Sequence, residues 1–194
     1  MGHRPKSLLE LDGIPLIKRQ IMSLTDAGVT DLFVVVGHYA ESIKLALQEC
    51  LVTTVQNPNP DAGHISSLRL GLQALPPRSD AVIVALADQP LIHKQDIKDL
   101  MDAFAMRPES AQFVQPEVNG QPGNPVMFTA QVREAILADN ANFGSKQWQA
   151  AHPEAVQRWV TLNQRYCTDI DTMQDIETLE LNTGHRLLWP KSMH

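Results

Sequence analysis

Cysteine is nearly absent from this chain: Cys50 and Cys167 are its only two, far apart and in no CxxC or metal-ligand spacing. That argues against a disulfide framework and for a reduced, cytoplasmic setting. The seven histidines form no HExxH or similar ligand pattern. No apolar run is long enough to span a bilayer, and no secretory signal opens the sequence. Positive charge is also short, with 16 Lys and Arg against 22 Asp and Glu, a formal charge of −6. No nucleic-acid or membrane partner is therefore expected. A small phosphate-bearing ligand is still allowed, because local cations decide its binding rather than net charge.

What is present is alternation of strand-like and helix-like segments. The length suits one domain over residues 1–194, with 182–194 read as a C-terminal tail carrying Gly184 and Pro190. Pro15 opens a helix whose apolar stripe is Ile17, Ile21 and Leu24, and Gly28 stops it. Leu32 to Val36 reads as a strand buried on both faces. Ala40 to Glu49 is helical by pattern, Val52 to Gln56 a strand, Ser66 to Leu75 a helix, and Lys94 to Ala105 another. Further on, Gln112 to Pro116 and Val126 to Phe128 read as short strands, then Ala130 to Ala138 and Ser145 to Ala151 as helices. Val156 to Leu162 and Tyr166 to Ile170 read as strands before a closing helix over Met173 to Leu181. This order predicts an α/β fold: a Rossmann-like, mostly parallel sheet with helices on both faces.

The chemistry is expected at the carboxyl ends of the strands, where open α/β sheets hold their ligands. The apolar run Ala81 to Ala87 delivers one carboxylate, Asp88, and Pro90 stops it. In Asp169-Ile170-Asp171-Thr172 alternating aspartates would share one face of a strand end. Carboxylates from two distant segments could then grip a hard cation against a nucleotide phosphate. Their ordinary structural readings are a helix cap for Asp88 and solvated turn residues for Asp169 and Asp171. Lys6 could offset charge on a reacting phosphate, or be a solvated terminal lysine. Gly63-His64-Ile65-Ser66-Ser67 leads into a helix, where Ser66 or Ser67 could cap it and help bind an anion. Gly123-Asn124-Pro125 could present backbone and amide to a second substrate, or be a plain turn.

Met1-Gly2-His3-Arg4-Pro5-Lys6 resembles the tail of the RMGxxK loop of the MobA-like nucleotidyltransferases. The similarity continues through Leu11 to Leu16, Ala27-Gly28, Val35 to Gly37 and Asn57-Pro58. It then runs through Gly63 to Leu68 with Gly71-Leu72, Ala87 to Pro90, Gly123 to Pro125 and Asp169 to Thr172. The molybdenum cofactor cytidylyltransferases, the MocA-type branch, are the nearest subgroup. The resemblance implies a nucleotide-diphospho-sugar transferase type of fold, with Asp88 and Asp171 holding Mg²⁺ and Lys6 contacting nucleotide phosphates. Lys6, Asp88 and Asp171 would be the catalytic set. Asn57, Gly63, Ser66 and Ser67 would help seat the nucleotide beside Asp88. Gln89, Pro90, Gly123, Asn124 and Pro125 would border the pterin pocket, with Lys146 of Phe143-Gly144-Ser145-Lys146 near the pterin phosphate.

Three motifs depart from the family pattern. Asn124 replaces the histidine of GHP, an amide in place of a titratable donor. Lys146 replaces an arginine, giving up bidentate phosphate recognition. Met173-Gln174 replaces Pro-Glu and weakens the helix-start signal while leaving Asp175. The family also has a first strand and an LAAGxSxR loop ahead of Met1. Without that strand, Leu32 to Val36 would expose an unpaired apolar edge. Two readings follow: the sequence begins at an internal methionine, or the protein is short and catalytically impaired. Retention of Lys6, Asp88 and Asp171 favours the first. The implied activity is transfer of CMP from CTP to a molybdopterin-type phosphate with release of pyrophosphate, with a molybdenum hydroxylase as a protein partner. Its rivals are a GTP-dependent guanylyltransferase, a sugar- or polyol-phosphate nucleotidyltransferase, and a non-catalytic cofactor carrier.

Overall fold

The computed structural model describes residues 4–190; Met1 to His3, the start of the RMGxxK-like segment, and residues 191–194 lie outside them. The described chain opens with a short 3-10 helix over Lys6–Leu8. A hairpin follows, β1 (Glu10–Leu11) and β2 (Ile14–Pro15), turned by Asp12 and Gly13, both at positive φ. A two-residue turn of that kind matches the twist of the flanking strands, and Gly13 carries it without strain. α1 (Leu16–Ala27) starts directly after Pro15 and stops at Gly28, whose φ of 104° is the left-handed helix end.

β3 (Phe33–Val36), α2 (Ala40–Ala46) and β4 (Thr53–Gln56) come next, with β3 and β4 parallel and Phe33 opposite Thr53. Then follow α3 (His64–Ala74), β5 (Ala81–Val84) and α4 (Lys94–Ala105). The second half holds β6 (Phe113–Val118), β7 (Gln121–Pro122), β8 (Val126–Thr129), α5 (Ala130–Ala138), α6 (Ser145–Ala151) and β9 (Val156–Val160). β8 lies between β5 and β6 and is antiparallel to both, while β9 pairs parallel to β6. Strands β5, β6 and β9 therefore share one direction and β8 opposes it. α7 (Met173–Thr183) closes the helices, and β10 (Leu187–Leu188) pairs with β1. The expected tail is pinned there, with Leu187 buried against Leu11 and Leu179.

The sheet has an interruption. β3 pairs with β4 on one side and β5 with β8 on one side; among the described residues no ladder joins β3 to β5. Helices nevertheless span the interval on both faces. On one face Ile17 and Ile21 of α1 cluster with Val36, and Leu24 and Ala27 of α1 pack, as Ile83 does, against the cluster of Ile92, Ile97, Val118 and Tyr166. On the other, Leu68 and Leu72 of α3 pack with Val82 and Val84, and a Cβ on Gly71 would lie 3.1 Å from Val35. Alternation along a strand puts Val36 and Val35, and likewise Ile83 and Val82, on opposite faces. The expectation of full burial for Leu32 to Val36 is corrected: only Val36 is buried, because one edge of that strand has no neighbour. The expected unpaired edge is found there.

The largest cluster lies under the continuous part of the sheet, where Phe113 stacks on Phe128 at 5.2 Å and on Trp148 at 6.0 Å between centroids. Each such side chain contributes roughly 1.5–3 kcal/mol by leaving water. Tyr166 to Ile170 is not a strand. Gln164–Cys167 forms a 3-10 helix and the rest is extended loop, because Asn163 caps that turn and Arg165 is drawn onto Asp96.

Candidate active site

β5 ends at Val84, and Asp88 follows four residues later in a turn at the carboxyl end of the strand. The backbone carbonyl of Asp88 accepts from the N–H of Ile170 at 3.0 Å, and Ile170 is buried. That one bond brings the Asp169–Asp171 segment beside β5. Lys6 joins them: its Nζ donates to Asp171 Oδ1 at 2.6 Å and lies 3.9 Å from Asp88 Oδ2. Leu8, buried with Ile17, Ile21 and Val36, anchors the turn that carries Lys6. Three residues from two ends and the middle of the chain thus meet above the sheet.

The helix-cap reading of Asp88 does not hold, while Asp169 and Asp171 are exposed loop residues as the ordinary reading has them. Asp88 caps no helix, since His93 and Asp96 form the capping box of α4. Asp171 is exposed but ion-paired, and the α7 start is made by Thr172 and Asp175. Asp175 accepts from the Asp171 and Thr172 N–H groups and from the Thr172 hydroxyl, so it holds the acidic loop in shape. The helix start survives without the Pro-Glu pair of the family pattern.

Burial pushes the Asp88 carboxyl above its ordinary value, Lys6 pulls it back, and Asp169 and Asp171 push it up further. Its Oδ1 is buried and has no hydrogen-bond partner. An orphaned carboxylate oxygen beside a second carboxylate fits a hard divalent cation. Among the described residues no group of three or more His, Cys, Asp or Glu is assembled as a metal site. A cation on this pair would complete its shell with phosphate oxygens and water, as Mg²⁺ does at nucleotide sites.

On one side of this centre lie the residues expected to seat a nucleotide. Asn57, buried at the end of β4, donates through Nδ2 to Ser66 Oγ at 2.6 Å and Ser67 Oγ at 3.0 Å. Ser66 and Ser67 sit inside the first turn of α3 and do not cap it; Gly63 holds the cap position without a side chain. That corrects the capping expectation. Gly63 has φ 84°, which a side chain would strain.

On the other side is a cavity of about 250 Å³ lined by Gln89, Gln121, Pro122, Asn124, Tyr166, Cys167 and Asp169. Asn124 N–H donates to the Tyr166 carbonyl at 2.8 Å, and Gln89 Nε2 donates to the same oxygen at 3.0 Å. Gly123 permits this approach, since a Cβ there would lie 2.8 Å from Tyr166 Cβ. Pro90 and Pro125 are buried and hold the turns. Burial raises the Cys167 thiol, and Asp169 adds to that, so it is no activated nucleophile. Lys146 does not line the cavity; it is exposed on α6, whose preceding Gly144 packs against Ile65 of α3.

Sequence reasoning did not single out Gln121, Pro122, Tyr166 or Cys167 for this cavity, nor the buried Asp96 that organises it. Asp96 accepts from Arg165 and Asn163, while the Tyr166 hydroxyl donates to its carbonyl at 2.7 Å. Gln121 and Pro122 adjoin Gly123–Pro125 in sequence, but no local signal joins Tyr166 and Cys167 to Asp96, which lies about seventy positions away.

Fold and site together define an α/β nucleotidyltransferase architecture. The chain belongs to the MobA-like NTP transferase domain family, whose profile matches residues 1–156. Among solved structures it is similar to Rv0371c from Mycobacterium tuberculosis H37Rv, with a TM-score of 0.75 and 19% identity over 93% of this chain and 91% of that one. A complex of Rv0371c from that organism with manganese gives 0.70 and 22%, covering 91% of each chain. A nucleotidyl transferase from Methanothermobacter thermautotroptrophicus gives 0.73 and 21%, over 90% and 82%. At these identities the likeness establishes the fold. Among curated proteins, the bifunctional protein GlmU of Acetivibrio thermocellus is 28% identical over 120 residues, 62% of this chain and 26% of that protein. The chain thus spans about a quarter of that relative's length. No helix among the described residues is long and apolar enough to cross a membrane.

Proposed function

We propose that this chain is a Mg²⁺-dependent cytidylyltransferase that moves CMP from CTP onto the terminal phosphate of a molybdopterin-type cofactor. The observation that carries the reading is the convergence of Lys6, Asp88 and Asp171 at the carboxyl end of β5. In the reaction an acceptor phosphate oxygen bonds to the α-phosphorus of CTP. The bond from that phosphorus to the bridging oxygen breaks, and pyrophosphate leaves with the electron pair. The acceptor phosphate is already ionised near neutral pH, so no side chain needs to act as general base. Catalysis then consists of alignment and charge neutralisation.

Lys6 would offset charge on the α-phosphate, moving from Asp171 by rotation of its flexible stem. Asp88 and Asp171 would hold Mg²⁺, which supplies neutralisation of the reacting phosphate oxygens. Asn57 fixes Ser66 and Ser67 at the start of α3, where helix N–H groups favour a phosphate. Gln89, Pro90 and the Gly123–Pro125 turn would border the acceptor, with Lys146 further off toward α3. A molybdenum hydroxylase would be the recipient of the product.

The choice of CTP is supported by two similar structures: a CMP:2-keto-3-deoxy-manno-octonic acid synthetase complexed with CTP, and the 4-diphosphocytidyl-2C-methyl-D-erythritol synthase of Anaerococcus prevotii. The second also favours a rival acceptor, a polyol phosphate. Calorimetric titration with CTP and GTP, with and without Mg²⁺, tests the base. Mg²⁺-dependent preference for CTP is expected, and preference for GTP would move the assignment to a guanylyltransferase. Retention of Mg²⁺-dependent turnover in Asp88→Asn would falsify the mechanism.

A further inference from the structure

The buried stripe of α1 runs through Ile17, Ile21 and Leu24, and one position on it is polar. Gln20 stands one turn after Ile17 and is 4% exposed. Its amide is half satisfied: Nε2 donates to the Gln89 carbonyl at 3.0 Å, while Oε1 is buried without a partner. A buried amide oxygen with no donor destabilises a fold by about as much as one hydrogen bond stabilises it. Satisfying one carbonyl while orphaning one oxygen therefore gains the folded chain little. A side chain that breaks an apolar stripe without a gain in stability points to a functional constraint.

The one bond that Gln20 makes goes to the residue next to Asp88. β5 has already ended at Val84, so no strand ladder holds the turn that carries this carboxylate. The turn is instead held through its carbonyls. Asp88 accepts from the Ile170 N–H at 3.0 Å, and Gln89 accepts from Gln20. Ile92 accepts from Ser23 Oγ at 3.2 Å, a hydroxyl that also reaches the Arg19 carbonyl at 2.9 Å. Ser23 is buried as well and lies three residues after Gln20 on α1. Two buried polar side chains of one helix thus grip the segment from Gln89 to Ile92, directly after Asp88.

We propose that Gln20 is a positioning residue for Asp88. It fixes the Asp88–Gln89 turn against α1, so that the carboxylate keeps its place beside Lys6 and Asp171, and Ser23 secures the far end of the same loop. What Asp88 does there rests on the nucleotidyl-transfer reading; the grip on its turn does not. A carboxylate that holds a cation against a reacting phosphate must be placed to within a fraction of an ångström, and a turn beyond a strand end gains that precision only from such supports.

Gln20→Leu in the full chain is the test. Removing the orphaned Oε1 offsets baring the Gln89 carbonyl, so the melting temperature should shift little. The Ile170 amide, bonded to the Asp88 carbonyl, should exchange with deuterium about tenfold faster, while the amides of β6 keep their rates. Mn²⁺, followed by electron paramagnetic resonance, should bind about fivefold more weakly. In turnover kcat should fall about tenfold, with KM for CTP within about twofold. Should Gln20→Leu not fold, Gln20→Met, with the same unbranched shape as glutamine, takes its place with the same expectations. Unchanged Ile170 exchange overturns the proposal, as does exchange accelerated equally in β6. Faster Ile170 exchange with Mn²⁺ affinity and kcat both unchanged also overturns it, because Asp88 would not then depend on the grip. A wild-type chain that binds no Mn²⁺ and turns over no nucleotide counts against the nucleotidyl-transfer reading, and Ile170 exchange alone then decides whether Gln20 holds the turn.

Discussion

One oxygen of Asp88 is buried without a donor, and the other lies 3.9 Å from the Lys6 ammonium. Burial raises its pKa above the ordinary 3.8, so the folded chain binds that proton more tightly than the unfolded one. Stability then falls as pH rises from 3.8 through the folded value, and the ionised carboxylate is a burden above it. Asp88→Asn should therefore leave the melting temperature unchanged or raised, while turnover falls at least about 10²-fold. Carboxyl NMR of the wild-type chain without divalent cation should show Asp88 titrating above 3.8; a lower value would remove the argument. Gly123 carries the opposite kind of constraint. A Cβ would meet Tyr166 Cβ at 2.8 Å and its carbonyl oxygen at 2.9 Å. That carbonyl is held by Asn124 and Gln89 and has little freedom to retreat. Gly123→Ala should cost about 1–3 kcal/mol by overpacking and raise KM for the acceptor more than for the nucleotide.

At the scale of elements, the cavity wall depends on a contact between α4 and the Gln164–Cys167 turn. Asp96 is fully buried and takes a fork of bonds from Arg165, with Asn163 and the His93 N–H completing its shell. Burial alone would raise its pKa, but these donors outweigh burial and lower it. Its contribution is full above 3.8 and is lost as pH falls through the depressed folded value. Arg165→Leu should cost about 2–3 kcal/mol at pH 7, discounted because the Arg165 side chain is 38% exposed. The difference from wild type should shrink in urea melts near pH 3, and a constant difference would contradict this role. This contact also explains what was legible. The helices over about Lys94–Ala105, Ala130–Ala138 and Ser145–Ala151 were legible because helical periodicity is a local signal. Tyr166 to Ile170 reads falsely as a strand, since Tyr166, Thr168 and Ile170 alternate with other residues, whereas Gln164–Cys167 is a turn. What makes it a turn is Asp96, about seventy positions away. Lys6, Asp88 and Asp171 were legible as motif positions, whereas Tyr166 and Cys167 entered the site only through that long-range pairing.

For the whole molecule, the decisive feature is the interval between β3 and β5. Leu32 and Val36 give their carbonyls to Thr53 and Asn57 of the neighbouring strand, so alternate residues of β3 bond β4. The backbone groups of Phe33 and Val35 therefore point toward β5. In the same way Ala130 N–H bonds Asp80, which makes Val82 and Val84 the hydrogen-bonded residues facing β8 and leaves Ala81 and Ile83 facing β3. α1 and α3 pack over the two faces of this interval, and among the described residues no ladder pairs the facing amides of β3 and β5. Hydrogen exchange should show an alternating pattern: slow amides at Val34, Val36, Val82 and Val84, and faster ones at Phe33, Val35, Ala81 and Ile83. Uniform protection along both strands would mean that β3 and β5 close on each other in solution. The alternation matters for function because Asp88 hangs from the end of β5, and Asn57 from the end of β4 beside β3. Asn57 and Asp88 thus hang from two strand groups that, among the described residues, no ladder joins. Their spacing should respond to packing in α1 and α3: Leu72→Ala, at the contact of α3 with Val82, should cost about 2–4 kcal/mol. It should also raise KM for the nucleotide, although Leu72 is buried in the core.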